Sequence, residues 1–182
     1  MRKLHLILLI LTIFSINACS QEKSPYVSFD DYDKLMDEVK EHRKSRLVEL
    51  PEYLEMAKEQ GVIILDTRSG EMYNKKHVKG AFHLNFSDFT QERLAEVIPS
   101  TDTKILIYCN NNFEDDQKNF PTKKSSPVDL KKGGGDKGIT LALNIPTYIN
   151  LYGYGYENVY ELSELISVND PRVEFEGTSV VK

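Results

Sequence analysis

The sequence predicts an α/β domain with a central, largely parallel sheet flanked by helices. Three observations point there. Val62-Ile63-Ile64-Leu65, Ile105-Leu106-Ile107-Tyr108 and Asn158 to Leu162 are short apolar runs of strand length. Such runs are what strands covered on both faces look like, and parallel sheets contain such strands. Between them the apolar residues recur at helical spacing, as in Phe89, Leu94 and Val97. Strands alternating with helices in this way build a parallel sheet. Ligands of such sheets bind beyond the carboxyl ends of the strands. The first two runs end at Asp66 and Cys109, so position alone makes these two site candidates.

The chain begins outside that pattern. Arg2 and Lys3 precede an apolar stretch, Leu6 to Ile13, that ends near Ile16-Asn17-Ala18-Cys19. The stretch is too short to span a bilayer and has the layout of a secretory signal. Its last four residues resemble a bacterial lipobox. Residues 1–18 are therefore expected to be a lipoprotein signal peptide, cut before Cys19, whose thiol would carry diacylglycerol and further acyl chains such as palmitate. An ordinary secretory signal with Cys19 near the cut is the alternative. Acyl chains anchor firmly, since each buried CH₂ contributes about 0.8 kcal/mol. The implied place is the bacterial cell envelope, with the domain facing the periplasm or the exterior. Ser20 follows the cysteine where an aspartate would retain a lipoprotein at the inner membrane, which favours the outer membrane.

Residues 19–27 are polar, contain Pro25 and read as a tether. Residues 28–49 read as a helical extension: Ser28 is a suitable N-cap, Asp30 and Asp31 suit the first turn, and Phe29, Tyr32, Leu35, Met36 and Val39 share a face. Residues 50–168 form the expected domain, opening on a helix with Pro51 in its first turn and Gly61 beyond its end. A further helix is expected from Asn144 to Tyr152, with Pro146 in the first turn and Ile145, Ile149 and Tyr152 on one face. Residues 169–182 are left as a tail.

The residues around the strands carry a family resemblance. Ile63 to Arg68 is similar to the first core strand and Asp-x-Arg turn of the rhodanese family. His77-Val78-Lys79-Gly80-Ala81 resembles its Gly-His-Ile-x-Gly-Ala segment, with Lys76 in place of the first glycine. Leu84-Asn85 resembles the next short strand. Ile105 to Cys109 resembles the strand that delivers the catalytic cysteine, and Gly155 to Leu162 its closing Gly-Tyr-x-Asn-Val-Tyr-x-Leu segment. The resemblance implies that Cys109 is a nucleophile that takes a sulfane sulfur as a persulfide and passes it to an acceptor. It implies that Asn110, Asn111 and Asn112 form the substrate-binding loop, supported by Asp66, Arg68 and Glu71. Arg68 and Glu71, three residues apart, are expected to pair.

The loop departs from the family pattern. The family's cradle, roughly Cys-x-x-Gly-x-Arg, uses backbone N–H groups to hold an anion and lower the thiol pKa. Here Asn112 stands for the glycine and Glu114 for the arginine, and Asp115 and Asp116 follow. Asparagine tolerates the backbone a tight cradle needs, but carboxylates near a thiol raise its pKa and repel anions. Weak or no turnover of thiosulfate is expected. A non-catalytic binding or redox-sensing module on the same fold is the other reading, since a free cysteine is also commonly an inert buried thiol. Residues 110–143 form a long loop insertion whose lysines, Lys123, Lys124, Lys131, Lys132 and Lys137, either stay in solvent or cover the site.

The remaining functions are narrowed by composition. The 182 residues carry 23 Lys+Arg against 28 Asp+Glu, a net charge of −5, which argues against a nucleic-acid partner. Two cysteines form neither a disulfide framework nor a Cys-rich zinc site, and no metal or other cofactor is expected. The expected partners are a membrane, through the lipid, and a small sulfur-containing molecule or protein acceptor.

Overall fold

The structure, a computed structural model, describes residues 27–125 and 138–180. The signal peptide, Cys19, most of the tether, and Lys131, Lys132 and Lys137 lie outside the described residues. In chain order the elements are α1 (Phe29–Arg43), β1 (Leu47–Val48), α2 (Leu50–Met56), β2 (Ile63–Asp66), α3 (Gly70–Lys75), β3 (His77–Val78) and β4 (Phe82–His83). They continue with a 3₁₀ turn (Phe86–Asp88), α4 (Gln91–Val97), β5 (Ile105–Tyr108), a second 3₁₀ turn (Asn110–Asn112) and β6 (Phe113–Glu114). The last are α5 (Asn144–Gly153), β7 (Val159–Leu162), β8 (Ile166–Ser167) and β9 (Phe175–Glu176).

The main sheet has five parallel strands in the order β1-β7-β5-β2-β4. The two apolar runs with the site candidates at their ends are therefore adjacent and interior. Their register sets Ile63 against Ile105 and Asp66 against Tyr108, so Asp66 and Cys109 leave the sheet at the same edge. The continuous apolar character of β5 follows from its burial on both faces. Ile105 and Ile107 point to one side, where they pack with Val39, Leu94, Tyr148 and Leu151 of α1, α4 and α5. Leu106 and Tyr108 point to the other, among Leu50, Tyr53, Phe113 and Phe120. Burying each such side chain contributes about 1.5–3 kcal/mol.

Ser28 caps α1 as expected, its hydroxyl accepting from the Asp31 N–H at 3.2 Å. α1 lies so close to α5 that a Cβ on Gly153 would sit 2.9 Å from the Leu35 side chain. Several boundaries differ from the expectation. α2 stops at Met56, and a turn leads to Gly61, which has φ +82°. β4 occupies Phe82–His83 rather than Leu84-Asn85; Leu84 continues the pairing only through its N–H to the Asp66 carbonyl, at 3.2 Å. The helical extension ends in β1, which is an edge strand of the sheet, and the C-terminal tail supplies β9, antiparallel to β3. Inside the long loop, β6 pairs with β8, and Lys124 bridges to Thr140.

Candidate active site

The end of β2 is built around a buried ion pair. Asp66 and Arg68 are 0 % and 2 % exposed. The Arg68 guanidinium grips the Asp66 carboxylate with Nε and Nη2, the shortest contact being 2.6 Å. Nη1 donates to the Asn119 carbonyl at 3.1 Å and Nη2 also to the Lys76 carbonyl at 2.7 Å, and the guanidinium lies over the Phe120 ring. Tyr108, the register partner of Asp66, donates its hydroxyl to the same carboxylate at 2.6 Å. Burial, then the Asp66 charge, pushes the Tyr108 pKa well up. This buried constellation holds the sheet edge and the loop over it.

The expected Arg68–Glu71 pair does not form. Arg68 turns inward to Asp66, whereas Glu71 lies on the solvent side of α3 and pairs with Lys75 one helical turn on, at 2.6 Å. Spacing on a helix selects the i, i+4 neighbour, and Arg68 precedes the helix. Glu71 is thus engaged along its own helix.

Cys109 follows directly on Tyr108, so pleat alternation turns its side chain to the opposite face, toward α5. The sulfur accepts the backbone N–H of Leu143, the N-cap residue of α5, at 3.1 Å. The Thr67 and Thr147 hydroxyls, 2.8 Å apart, tie the end of β2 to the same helix. Cys109 is 1 % exposed. Burial raises its pKa above the ordinary thiol value; the backbone N–H groups of Leu143 and Asn110 pull the other way without compensating, Asp66 adds to the rise, and Arg68 opposes it. The acids of the loop are not the cause. Asp116 binds Lys76 at 3.0 Å and Asn119, Asp115 accepts from Ser167 at 2.6 Å, and Glu114 is exposed. Burial raises the Asp116 pKa, but its bonds to Asn119 and Lys76 prevail and hold it below the usual carboxylate value.

Of the three asparagines expected to bind substrate, Asn111 and Asn112 have their side chains bonded within the protein, whereas Asn110 Oδ1 is buried without a hydrogen-bond partner among the described residues. Asn110 is buried. Asn111 exchanges two bonds with the Lys123 backbone, at 2.6 and 2.9 Å. Asn112 accepts from the Cys109 N–H at 2.9 Å and donates to the Leu162 and Glu164 carbonyls at 2.7 and 3.0 Å. An open groove of about 570 Å³ lies beside this loop, with Asn111, Asn112, Ile145, Glu161 and Leu165 among its lining. Arg43 and Glu161 meet in that lining as a bidentate pair at 2.5 and 2.7 Å. Glu161, 4 % exposed, escaped the sequence reading; an acid inside the apolar run of β7 was the signal. Among the described residues no group of three His, Cys, Asp or Glu side chains could hold a metal ion.

A cysteine at the end of a central parallel strand, facing the start of the following helix, is the placement that the resemblance to the rhodanese-like class of domain implies. A model of that class, the rhodanese-like domain, matches residues 49–164, well over half of the chain, and the protein belongs to this family. It is 26% identical over 77 residues to thiosulfate sulfurtransferase PspE of Escherichia coli (strain K12), a match covering 42% of this chain and 73% of PspE. It also aligns with the crystal structure of the BH2092 protein from Bacillus halodurans, with a TM-score of 0.48 and 16% identity, covering 82% of this chain and 86% of that one.

Proposed function

We propose that the protein is a lipid-anchored rhodanese-like domain of the bacterial cell envelope, a sulfurtransferase or persulfide carrier that works through Cys109 with weak or no turnover of thiosulfate. The observation that carries this reading is the Cys109 sulfur, seated on the Leu143 N–H yet 1 % exposed. In the transfer, the Cys109 thiolate attacks the outer sulfur of the donor. The donor's S–S bond breaks, and sulfite leaves thiosulfate with the bonding electron pair. Cys109 then holds a persulfide, whose outer sulfur is taken by an acceptor thiolate, returning Cys109 as thiolate. The name of the relative PspE, a thiosulfate sulfurtransferase, supports the reaction class. The low rate follows from the site: two backbone N–H groups face the sulfur, Arg68, the cation acting on the thiol among the described residues, is paired with Asp66, and the thiol is buried.

Intact-mass spectrometry after exposure to thiosulfate tests this. Slow, partial addition of one sulfur atom is expected, absent in Cys109→Ser. Rapid and complete persulfidation would refute the weak turnover. If no sulfane donor persulfidates Cys109, the second reading stands, a binding or redox-sensing module; the burial of the thiol is what favours it.

The anchor rests on the lipobox-like Ile16 to Cys19. Cys19→Ser should move the protein from the membrane fraction to a soluble or unprocessed form, and Ser20 points to the outer membrane. A mature N-terminus downstream of Cys19 that bears no lipid would remove this part. The sulfur acceptor is then a small thiol or a protein on the same side of that membrane.

A further inference from the structure

We propose that Asn112 is a positioning residue that sets the Cys109 sulfur against the first turn of α5, an inference that rests on the reading of Cys109 as the sulfur-accepting nucleophile. An asparagine side chain has two donor hydrogens and an oxygen with two lone pairs. In Asn112 all four are engaged. Nδ2 donates to the Leu162 carbonyl at 2.7 Å, at the end of β7, and to the Glu164 carbonyl at 3.0 Å. Oδ1 accepts from the Cys109 N–H and from Asn144 Nδ2, each at 2.9 Å. The backbone N–H of Asn112 donates to the Cys109 carbonyl at 3.1 Å, so one residue holds both polar groups of the Cys109 backbone.

The consequence lies in the single oxygen shared by Cys109 and Asn144. It links the peptide of the nucleophile to the first residue of α5, next to Leu143, whose N–H meets the sulfur. That N–H is the strongest of the influences favouring the thiolate. It acts only while Cys109 and α5 keep their register, because hydrogen bonds weaken steeply with distance and angle. The side chain that the sequence pattern assigns to a substrate loop therefore acts through Cys109. The charged groups acting on the thiol are Asp66 and Arg68. The first turn of α5 carries no charge of the acidic kind, Glu161 on β7 is paired with Arg43, Asp115 accepts from Ser167 and Asp116 pairs with Lys76. Replacing a neutral amide leaves all of these in place.

The test is the pH profile of iodoacetamide alkylation of Cys109, followed on its own peptide by mass spectrometry in the full-length protein. Asn112→Ala should move the midpoint up by half a unit to one unit, which slows alkylation at pH 8 about threefold to tenfold. Asn144→Ala cuts one arm of the clamp and leaves the Thr67–Thr147 contact to hold the helix, so this variant keeps the fold. It should shift the midpoint in the same direction by less, and Asn144→Gln, which restores a donor, should recover part of the shift. An unchanged midpoint in Asn144→Ala, or a lowered one as the thiol gains solvent, overturns the proposal. Alkylation needs no sulfur donor, so this outcome is independent of the persulfide assay. If the midpoint shifts while no persulfide ever forms, positioning holds and the sulfur-transfer reading fails.

Discussion

Arg68→Ala is expected to lower folding stability by about 3–5 kcal/mol, the range for removing one partner of a buried ion pair. The Asp66 carboxylate would stay in the core with only the Arg68 backbone N–H and the Tyr108 hydroxyl as donors, at 3.0 and 2.6 Å. The Asn119 and Lys76 carbonyls would lose their donor, and Phe120 the cation above its ring. Lysine should not rescue the loss, because a point charge cannot reproduce a planar fork that grips a carboxylate and two carbonyls at once. Urea unfolding gives the magnitude, and proteolysis between Asp116 and Thr122 should accelerate in the same variant. A loss below about 1 kcal/mol would mean that the ion pair only balances its own desolvation, and that the loop is held by the packing of Phe113, Phe120 and Phe175 and by the Lys76–Asp116 pair.

The same ion pair shows what a sequence discloses and what it hides. The interior strands were legible because burial on both faces leaves a continuous apolar run, and their common edge was legible because parallel strands end together. Asp66 and Cys109 could be placed on that argument alone. Contacts between distant residues left no such trace. Lys76 and Asp116 each read as a separate departure from the family pattern, a lysine for a glycine and an acid in the cysteine loop. In the structure they neutralise one another across 40 positions at 3.0 Å. Arg43 and Glu161 are likewise 118 positions apart. The pairing of β9 with β3 is invisible because two-residue strands have no periodicity to read. The Arg68–Glu71 expectation fails for a local reason: Arg68 precedes α3 and turns inward to the buried carboxylate of Asp66, while Glu71 faces solvent and pairs along its own helix.

Cys109 should titrate as a buried neutral thiol. Its ordinary value is 9.0 and burial moves it higher, so the thiolate is below about one per cent of the total at pH 7. Alkylation should therefore be slow at neutral pH and climb about tenfold for each pH unit, with no plateau below pH 9. The urea-unfolded protein should react at the rate of an ordinary thiol. The effect on stability has a definite sign. The folded state holds the proton more tightly than the unfolded state, so this contribution is fully present below the unfolded thiol value. It is lost as the pH rises from there through the folded value. Between those two values Cys109→Ser should show a flatter stability profile than the native protein. A plateau in alkylation at or below pH 7 would show that something stabilises the thiolate against its burial. The backbone N–H groups of Leu143 and Asn110 are outweighed by burial, so that stabiliser would have to be a cation brought over the sulfur. Lys123 and Lys124, at the start of the segment that returns to α5, would be the first residues to replace.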